Sequence, residues 1–366
     1  MSKKTFSRSD MISDFLDLFR GGNLLKEYKE FRKKHAEWED LSSEERKRIP
    51  KKEWPDYIMY KNTSEYYTLD NCTDYVTDYK YQTQILPRLN KLKYARYGIR
   101  QDAMIFGDKN YMDVFMDSLK FPQILVRNVG GVLYDATFHR INHDDALTLL
   151  NTYGEVVFKA SVYSGHGKGV SLVPYGKYDS TMEKLGKNYI CQERMQQHAF
   201  LAHFNESSVN IIRLTTLFWK GEIILLSGIL RVGAPGAFCD HLGCDGIGPR
   251  YMRINEDGTL SGKAYDRESG ILYNDCFGKK IEGKIPQWEE MKAQVLKAHE
   301  KYPHFGIVGW DMTVSDQGNV ICIEYNAGCP DVVRSQILCG PIFAKMTKRG
   351  SSCLKEILHT PKDYIL

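Results

Sequence analysis

The sequence has no run of eighteen apolar residues, and this absence excludes a transmembrane helix of ordinary length. The opening stretch MSKKTFSRSDMISDF also lacks the apolar core of a signal peptide, so we expect a cytoplasmic protein. The nine cysteines are mostly isolated and form no paired framework, which is typical of reduced, buried thiols.

An excess of one charge is missing as well, because 50 basic residues stand against 46 acidic ones and the net charge is +4. The basic residues lie mainly in the first hundred positions, where acidic residues separate them. This mixture favours a solvated helical face over a nucleic-acid arm, so we expect no nucleic-acid partner; a docking surface for an anionic substrate or a membrane face is the alternative. The sequence predicts no particular oligomeric state.

A recognisable zinc motif is also absent. Cys239, His241 and Cys244 lie close together in the sequence and form the one cluster of soft ligands. A structural zinc site takes four ligands, and a second pair at finger-like spacing is missing. We therefore do not expect zinc here.

The chain is long enough for a large core, because 42% of its 366 residues are hydrophobic. Residues 10–53 carry apolar side chains at helical spacing, and Ser42 or Ser43 followed by acids predicts a capping box. After about residue 101, strands and helices mix and hairpins become frequent. This pattern predicts an α+β fold rather than repeated βαβ units.

The predicted elements of this second part are bounded by turn and cap residues. A Gly-Gly turn separates two short strands in 123–135, and Asn142 is placed to cap a helix. A further helix is predicted to begin near Pro286. Two strands at 306–314 and 319–325 are predicted to form an antiparallel pair.

A basic, glycine-rich loop follows the strand that carries Lys159. Its glycines let backbone N–H groups approach phosphate oxygens without a side-chain clash. The loop lacks a Walker pattern and precedes a strand, so it fits neither a P-loop nor a Rossmann turn. An ordinary glycine-rich hairpin remains the alternative. The glycines and basic residues of the loop are Gly165, His166, Gly167, Lys168 and Gly169.

Polar side chains interrupt the predicted strand pair near residue 316. Strand alternation places Glu324 and Asn326 on one face, and an antiparallel turn brings Asp311 beside Glu324. Two carboxylates and an amide oxygen are hard ligands of the kind that Mg²⁺ binds together with substrate phosphates. A surface hairpin with solvated acids is the alternative, but the apolar flanks IVGW and VICI argue against it.

Together these features resemble the ATP-grasp superfamily, and they are most similar to its sugar-transfer-associated family, related to α-L-glutamate ligase-like proteins. The resemblance covers about residues 100–340. The stretches that carry it are QERMQQH, SSVNIIRLTTL, LRVGAPG, GKIPQWEEM and GWDMTVSDQGNVICIEYNAG.

The resemblance implies an ATP-grasp fold, in which two α+β subdomains clasp ATP, preceded by a mainly helical N-terminal region. The implied boundaries are a helical region at 1–100, a small subdomain with the lid loop at 101–190, and a C-terminal subdomain with the metal site at 191–366.

The same resemblance implies a role for each candidate residue. The phosphate-binding lysines are Lys109 and Lys159, and the lid over the phosphates is Ser164, Gly165, His166, Gly167, Lys168 and Gly169. Gln192 and Glu193 are implied to face the adenine or ribose. The implied catalytic cations are Arg213, Arg231 and Lys159. The implied ligands of two Mg²⁺ ions, for which Mn²⁺ can substitute, are Asp311, Glu324 and Asn326.

The implied activity is an ATP-dependent carboxylate–amine ligase that forms an amide through an acyl phosphate. Its partners are then small carboxylates and amines, with sugar-linked molecules as one option, and its context is polysaccharide or cell-surface glycan synthesis. A small-molecule or sugar kinase and a catalytically silent nucleotide-binding protein are the two alternatives.

Overall fold

The structure is a computed structural model, and it describes residues 28–89, 106–162, 169–240, 246–266, 269–327 and 330–361. Residues 28–34 are helical. The α-helices that follow are α1 Ser43–Arg48, α2 Trp54–Thr63, α3 Asp78–Lys80, α4 Leu86–Leu89, α5 Met112–Phe115, α6 His143–Leu150, α7 Tyr178–Leu185, α8 Ala199–Ala202, α9 Trp288–Glu300, α10 Val333–Cys339 and α11 Cys353–His359.

The strands lie after residue 123 in three antiparallel sheets. They are β1 Ile124–Val129, β2 Val132–Tyr134, β3 Glu155–Ala160, β4 Val170–Pro174, β5 Tyr189–Glu193, β6 Ile211–Trp219, β7 Glu222–Val232, β8 Arg250–Ile254, β9 Leu260–Asp266, β10 Leu272–Tyr273, β11 Asp275–Cys276, β12 Lys279–Lys280, β13 Ile307–Val314 and β14 Val320–Asn326.

The first sheet has five strands in the order β2-β1-β5-β3-β4. One of its faces packs against α6 and α7 through a core that includes Val126, Phe158 and Cys191. Lys159 lies on the opposite face, since successive side chains of a strand point to opposite sides. It pairs with Val170 on β4 and with Ile190 on β5.

The second sheet has seven strands in the order β10-β9-β8-β7-β6-β13-β14. Its apolar face packs on α9, where Leu214, Trp310 and Met312 meet Met291 and Val295. The strands are therefore apolar on this side and carry their polar side chains on the other. That other face holds the candidate site.

The helical N-terminal region covers the outer part of the same polar face. Tyr57 and Tyr60 of α2 pack in one core with Ile229, Tyr251 and Ile337. The N-terminal helices are thus joined to the second sheet through buried aromatic side chains.

A buried amide fixes this junction. The Gln336 Nε2 of α10 donates to the Val76 carbonyl at 2.7 Å, and its Oε1 accepts the Val76 N–H at 2.9 Å. Gln336 is fully buried, so these bonds satisfy polar atoms that water cannot reach.

Most local predictions from the sequence are confirmed. Ser42 and Glu45 form the capping box of α1, and Asn142 caps α6 through the Asp145 N–H. The Gly130–Gly131 turn joins β1 to β2. The start of α9 near Pro286 was wrong, because Gln287 adopts a left-handed conformation with φ 54° and the helix begins at Trp288. The helices predicted within residues 10–27 lie outside the described residues.

The described part of the chain contains no helix that is both long and apolar enough to cross a membrane.

A buried histidine links α9 to the second sheet. The His299 Nε2 donates to the Phe305 carbonyl at 2.6 Å, so the Nδ1 accepts the Thr216 hydroxyl at 2.7 Å. The Trp310 Nε1 in turn donates to the Thr216 oxygen at 2.7 Å. The imidazole is therefore neutral, and its burial lowers the pKa of His299 to about 4.

This histidine predicts a specific acid sensitivity. In the unfolded chain the imidazole takes up a proton below about pH 6.5, whereas the folded protein resists protonation down to about pH 4. Stability from this group is therefore present above pH 6.5 and is lost as the pH falls. We expect His299 to account for a loss of about 2 kcal/mol in the free energy of unfolding between about pH 7 and pH 5.

Urea unfolding of wild type and His299→Gln at both pH values measures this contribution, because glutamine keeps a donor and an acceptor but does not titrate. The variant should show the smaller loss, and the exposed control His139→Gln should keep the wild-type slope. Equal pH slopes for wild type and His299→Gln would contradict the assignment.

Candidate functional site

Two carboxylates lie opposite each other on neighbouring strands of the second sheet. Asp311 on β13 pairs directly with Glu324 on β14, as the strand pattern predicted, and Gly309 pairs with Asn326. Arg213 on β6 pairs with Asp311 from the other side. Directly paired residues share a face, so Arg213, Asp311 and Glu324 form one row across three strands.

A bulge interrupts this strand pair next to Asp311. Glu324 pairs with Asp311 and Cys322 pairs with Met312, so Ile323 is the extra, unpaired residue. A bulge redirects the side chain of its extra residue. Ile323 accordingly lines the adjacent pocket instead of facing a partner strand.

Asp311 is held by two arginines. The Arg213 Nε and Nη2 donate to its two oxygens at 2.5 and 2.8 Å, and the Arg231 Nη2 lies 3.0 Å from Oδ1. Burial alone would raise the pKa of Asp311, but the two arginines outweigh it and hold the pKa below its usual value. Asp311 is therefore a buried anion.

Glycine at position 309 leaves the space that Arg213 occupies. A Cβ there would lie 2.9 Å from the Pro330 Cβ and 3.3 Å from the Arg213 Nη1. Any larger residue would therefore displace the guanidinium or the proline.

The other two candidate metal ligands also take part in polar contacts, Glu324 as an acceptor and Asn326 as a donor. The Lys109 Nζ donates to the Glu324 Oε1 at 3.2 Å, and the Asn326 Nδ2 lies 3.5 Å from the Asp311 Oδ2. The three ligands predicted from the sequence are thus brought together with three of the four predicted cations, Lys109, Arg213 and Arg231.

Lys109 owes its position to a buried arginine that the sequence gave no reason to select. Arg127 on β1 is 1% exposed and donates from Nη1 and Nη2 to the two Asp113 oxygens at 3.0 and 2.6 Å. It also bonds the Asn110 carbonyl next to Lys109. The Lys109 N–H donates to the Ser161 carbonyl at 3.0 Å, which ties this segment to the end of β3.

The fourth cation, Lys159, lines a pocket between the two sheets. The lining residues surround about 250 Å³ of space, a figure that includes open solvent. Its lining residues are Lys109, Met112, Asp113, Phe121, Ile124, Lys159, Gln192 and Ile323. The mixture of apolar walls and two ammonium groups suits a ligand with a flat apolar part and an anionic tail.

Burial is the main cause that lowers the pKa of Lys159 to about 8; Glu324 partly opposes the shift, and Lys109 contributes to it. Its ammonium lies within 4 Å of no carboxylate among the described residues. The Lys159 side chain is buried among protein atoms on most sides. It keeps some solvent-accessible surface where it faces the pocket. Lys159 is therefore a cation poised to gain an anionic partner.

Of the other residues predicted to bind the nucleotide, some line the pocket and others do not. Gln192 lines it, whereas Glu193 accepts the Gln123 N–H at 3.2 Å and is not among the lining residues. Gly169 has φ +75°, and a Cβ there would lie 2.9 Å from the Ala160 Cβ, so glycine is required where the loop returns to β4. Ser164, Gly165, His166, Gly167 and Lys168 lie outside the described residues.

A further acidic residue, Asp240, reaches the site and was not assigned a role from the sequence. It is buried, and its Oδ2 lies 2.7 Å from the Arg231 Nε. The two atoms do not line up as a linear hydrogen bond, so the contact is an ion pair. His241 and Cys244, its neighbours in the cysteine cluster, lie outside the described residues.

The donor set at Asp311, Glu324 and Asn326 fits a hard divalent cation such as Mg²⁺, which prefers carboxylate and amide oxygens. Within the described ranges, no group of three or more His, Cys, Asp or Glu side chains is placed to hold a metal. An ion here would take the two carboxylates and the Asn326 amide, and would complete its coordination with oxygens from outside the protein.

The chain matches the model of the family described as "Sugar-transfer associated ATP-grasp" over residues 175–349, slightly less than half of its length. This match contains Arg213, Arg231, Asp311 and Glu324. It confirms the resemblance to the ATP-grasp superfamily and to this family. The predicted α+β architecture, with a mainly helical N-terminal region before the sheets, is confirmed by the described residues.

Several solved structures are distantly similar. An N5-carboxyaminoimidazole synthetase from Staphylococcus aureus complexed with ADP is 14% identical, with 63% of this chain and 47% of that chain covered and a TM-score of 0.37. The ATP-grasp ligase PsnB complexed with minimal precursor is 13% identical, with 66% and 61% covered and a TM-score of 0.39.

An L-amino acid ligase from Bacillus licheniformis is 13% identical, with 62% and 41% covered and a TM-score of 0.33. The matched region thus spans less than two thirds of each of these three chains. Similarity this distant says nothing about substrate. No curated protein matches the chain.

The lowered pKa of Lys159 predicts how the pocket responds to pH. Below about pH 8 the ammonium can pair with a phosphate, whereas above it the free protein carries a neutral amine and binding must first take up a proton. We expect the affinity for ADP to fall by up to about tenfold per pH unit above pH 8.

Isothermal titration calorimetry of ADP between pH 7 and pH 9.5 measures this dependence. In Lys159→Arg the guanidinium stays charged, so the fall should disappear. A wild-type decline that persists unchanged in the arginine variant would assign the titration to another group.

Proposed function

From its match to the sugar-transfer associated ATP-grasp family, we propose that this protein is an ATP-dependent carboxylate–amine ligase. The observation that best supports this proposal is the row of Glu324, Asp311 and Arg213 beside a pocket that contains Lys109 and Lys159. Such a row combines acidic ligands for a metal with cations for a nucleotide tail in one place.

The pocket is proposed to bind ATP with its base against Ile124, Phe121 and Ile323, and with its phosphates toward the two lysines. Gln192 then lies beside the base, and Glu193 is the weaker candidate for a ribose contact because its carboxylate already accepts the Gln123 N–H. The loop of Ser164–Gly169 is proposed to cover the phosphates and to exclude water.

Asp311, Glu324 and Asn326 are proposed to hold Mg²⁺, with two ions and with Mn²⁺ as a substitute. When bound, the metal supplies positive charge to the phosphate oxygens and orients them. The residues of the chain must then exchange partners. With a metal held there, Lys109 and the two arginines, which now neutralise Glu324 and Asp311, would be available to the phosphates.

In the proposed reaction, an oxygen of the substrate carboxylate attacks the γ-phosphorus of ATP, and the bond to the β–γ bridging oxygen breaks to release ADP. Arg213, Arg231 and Lys159 stabilise the charge of the phosphoryl group during transfer. The nitrogen of an amine then attacks the carbonyl carbon of the acyl phosphate, the bond from that carbon to the phosphate oxygen breaks, and phosphate leaves with the proton that the nitrogen loses, so that an amide remains.

The substrates are proposed to be small carboxylates and amines, with sugar-linked acceptors as one option in polysaccharide or cell-surface glycan synthesis. The subdomain boundaries near 100 and 190 and the cytoplasmic location remain predictions. A kinase would turn over ATP without needing a carboxylate, and a silent nucleotide-binding protein would bind ATP without turning it over.

A coupled ADP-release screen across candidate carboxylates and amines tests this function. Glu324→Gln removes the proposed metal ligand that faces Lys109, so we expect ADP release to fall about a hundredfold or more. Glu290→Gln on the exposed face of α9 makes the same chemical change away from the site and should keep wild-type activity.

ADP release that survives in Glu324→Gln would show that the metal site is misplaced. Carboxylate-independent release would instead support the kinase, and nucleotide binding without release under any substrate pair would support the silent protein.

A further inference from the structure

A short segment after β7 folds back onto the start of β6 and is fixed there by two polar side chains. The segment is residues 233–240, here called the return segment. The Asn205 Nδ2 donates to the carbonyls of Gly233 and Ala234 at 2.9 and 3.1 Å. The Ser207 hydroxyl donates to the Ala237 carbonyl at 2.8 Å and accepts the Gly236 N–H at 3.0 Å.

The two ends of the return segment lie in close contact. A Cβ at Gly233 would lie 2.4 Å from the Cys239 carbonyl oxygen, so only glycine fits there. Cys239 also forms a parallel bridge with Val209, just before β6. These contacts fix the backbone on the N-terminal side of Asp240 without help from the Asp240 carboxylate.

The return segment places the Asp240 carboxylate beside one end of the Arg231 guanidinium. Nε lies 2.7 Å from the Asp240 carboxylate, while Nη2 lies 3.0 Å from Asp311. The side chains of Arg231 and Asp240 are 16% and 10% exposed, so water screens these charges only weakly. Arg231 is thus shared between two anions, of which one is a proposed metal ligand.

We propose that Asp240 is a positioning residue that draws part of the charge of Arg231 away from Asp311 and thereby sets how strongly nucleotide binding depends on a divalent cation. This inference rests on the proposed function, because it concerns the same nucleotide and metal site. It assigns to Asp240 a role that acts through Arg231 rather than through contact with the reacting atoms.

The sign of the effect follows from the charges in the site. Four cations, Lys109, Lys159, Arg213 and Arg231, stand against the three anions Asp240, Asp311 and Glu324. Removing the Asp240 charge raises the net charge of this set from +1 to +2. A divalent cation is then bound less readily, whereas the phosphates of a nucleotide without metal are bound at least as well.

The experiment measures the dissociation constant of ADP by calorimetry in excess Mg²⁺ and again in excess EDTA, for the full chain. The readout is the ratio of the two constants, which reports the gain from Mg²⁺ and is separate from catalysis. In Asp240→Asn we expect this gain to fall about tenfold, with metal-free binding unchanged or tighter.

Three further variants separate positioning from general damage. Asp240→Glu keeps the charge and should retain most of the wild-type gain. Arg231→Gln removes the opposite charge and should enlarge the gain, and the double variant Asp240→Asn with Arg231→Gln should return toward the wild-type ratio. Asp144→Asn on exposed α6 is the matched control and should behave as wild type.

The proposal is overturned if Asp240→Asn keeps the wild-type gain, or if it weakens ADP binding equally with and without Mg²⁺. A shared loss of that kind is what mere structural damage would cause. Wild-type protein that binds no ADP in either condition would instead refute the proposed function. The two failures are therefore distinguishable.

Discussion

The charge of Asp311 depends on two arginines, Arg213 on the adjacent strand β6 and Arg231 on β7. A carboxylate enclosed this far from water is costly unless cations and hydrogen-bond donors surround it. Arg213 supplies two aligned donors and Arg231 supplies a third contact, so the anion persists inside the fold. The proposed metal site depends on this arrangement, because a protonated Asp311 would neither attract a metal nor leave the arginines available for exchange.

The surrounding structure holds these groups by contacts distributed over the whole fold. Gly309 leaves room for the Arg213 guanidinium, Asp240 shares Arg231, and Arg127 supports the segment that carries Lys109. Each of the ion pairs neutralises charge in the protein as it stands. The proposed nucleotide and metal would therefore enter by replacing existing partners; the exception is Lys159, which has no carboxylate within 4 Å in the described part of the chain.

The helical N-terminal region packs on the polar face of the second sheet, the face that holds the site. Its tyrosines pack beside Tyr251 and Tyr265, which continue the row of Arg231 across β8 and β9. Gln336 joins this region to α10, the helix that follows the strand of Glu324 and Asn326. The N-terminal helices thus pack against the helix that follows the strand pair carrying the proposed metal ligands.

The sequence by itself determined the strand pair and its facing carboxylates. Both the two-residue alternation of side chains along β14 and the short turn before it are local properties of the chain. It likewise determined the caps of α1 and α6, which involve residues three apart. Tertiary structure alone decided which charged side chains of the site pair with one another. The contacts of Arg127 with Asp113, of Asp240 with Arg231 and of Arg213 with Asp311 join residues that are 14, 9 and 98 positions apart. No periodic pattern marks such pairs, because they arise where separate strands and loops meet in space.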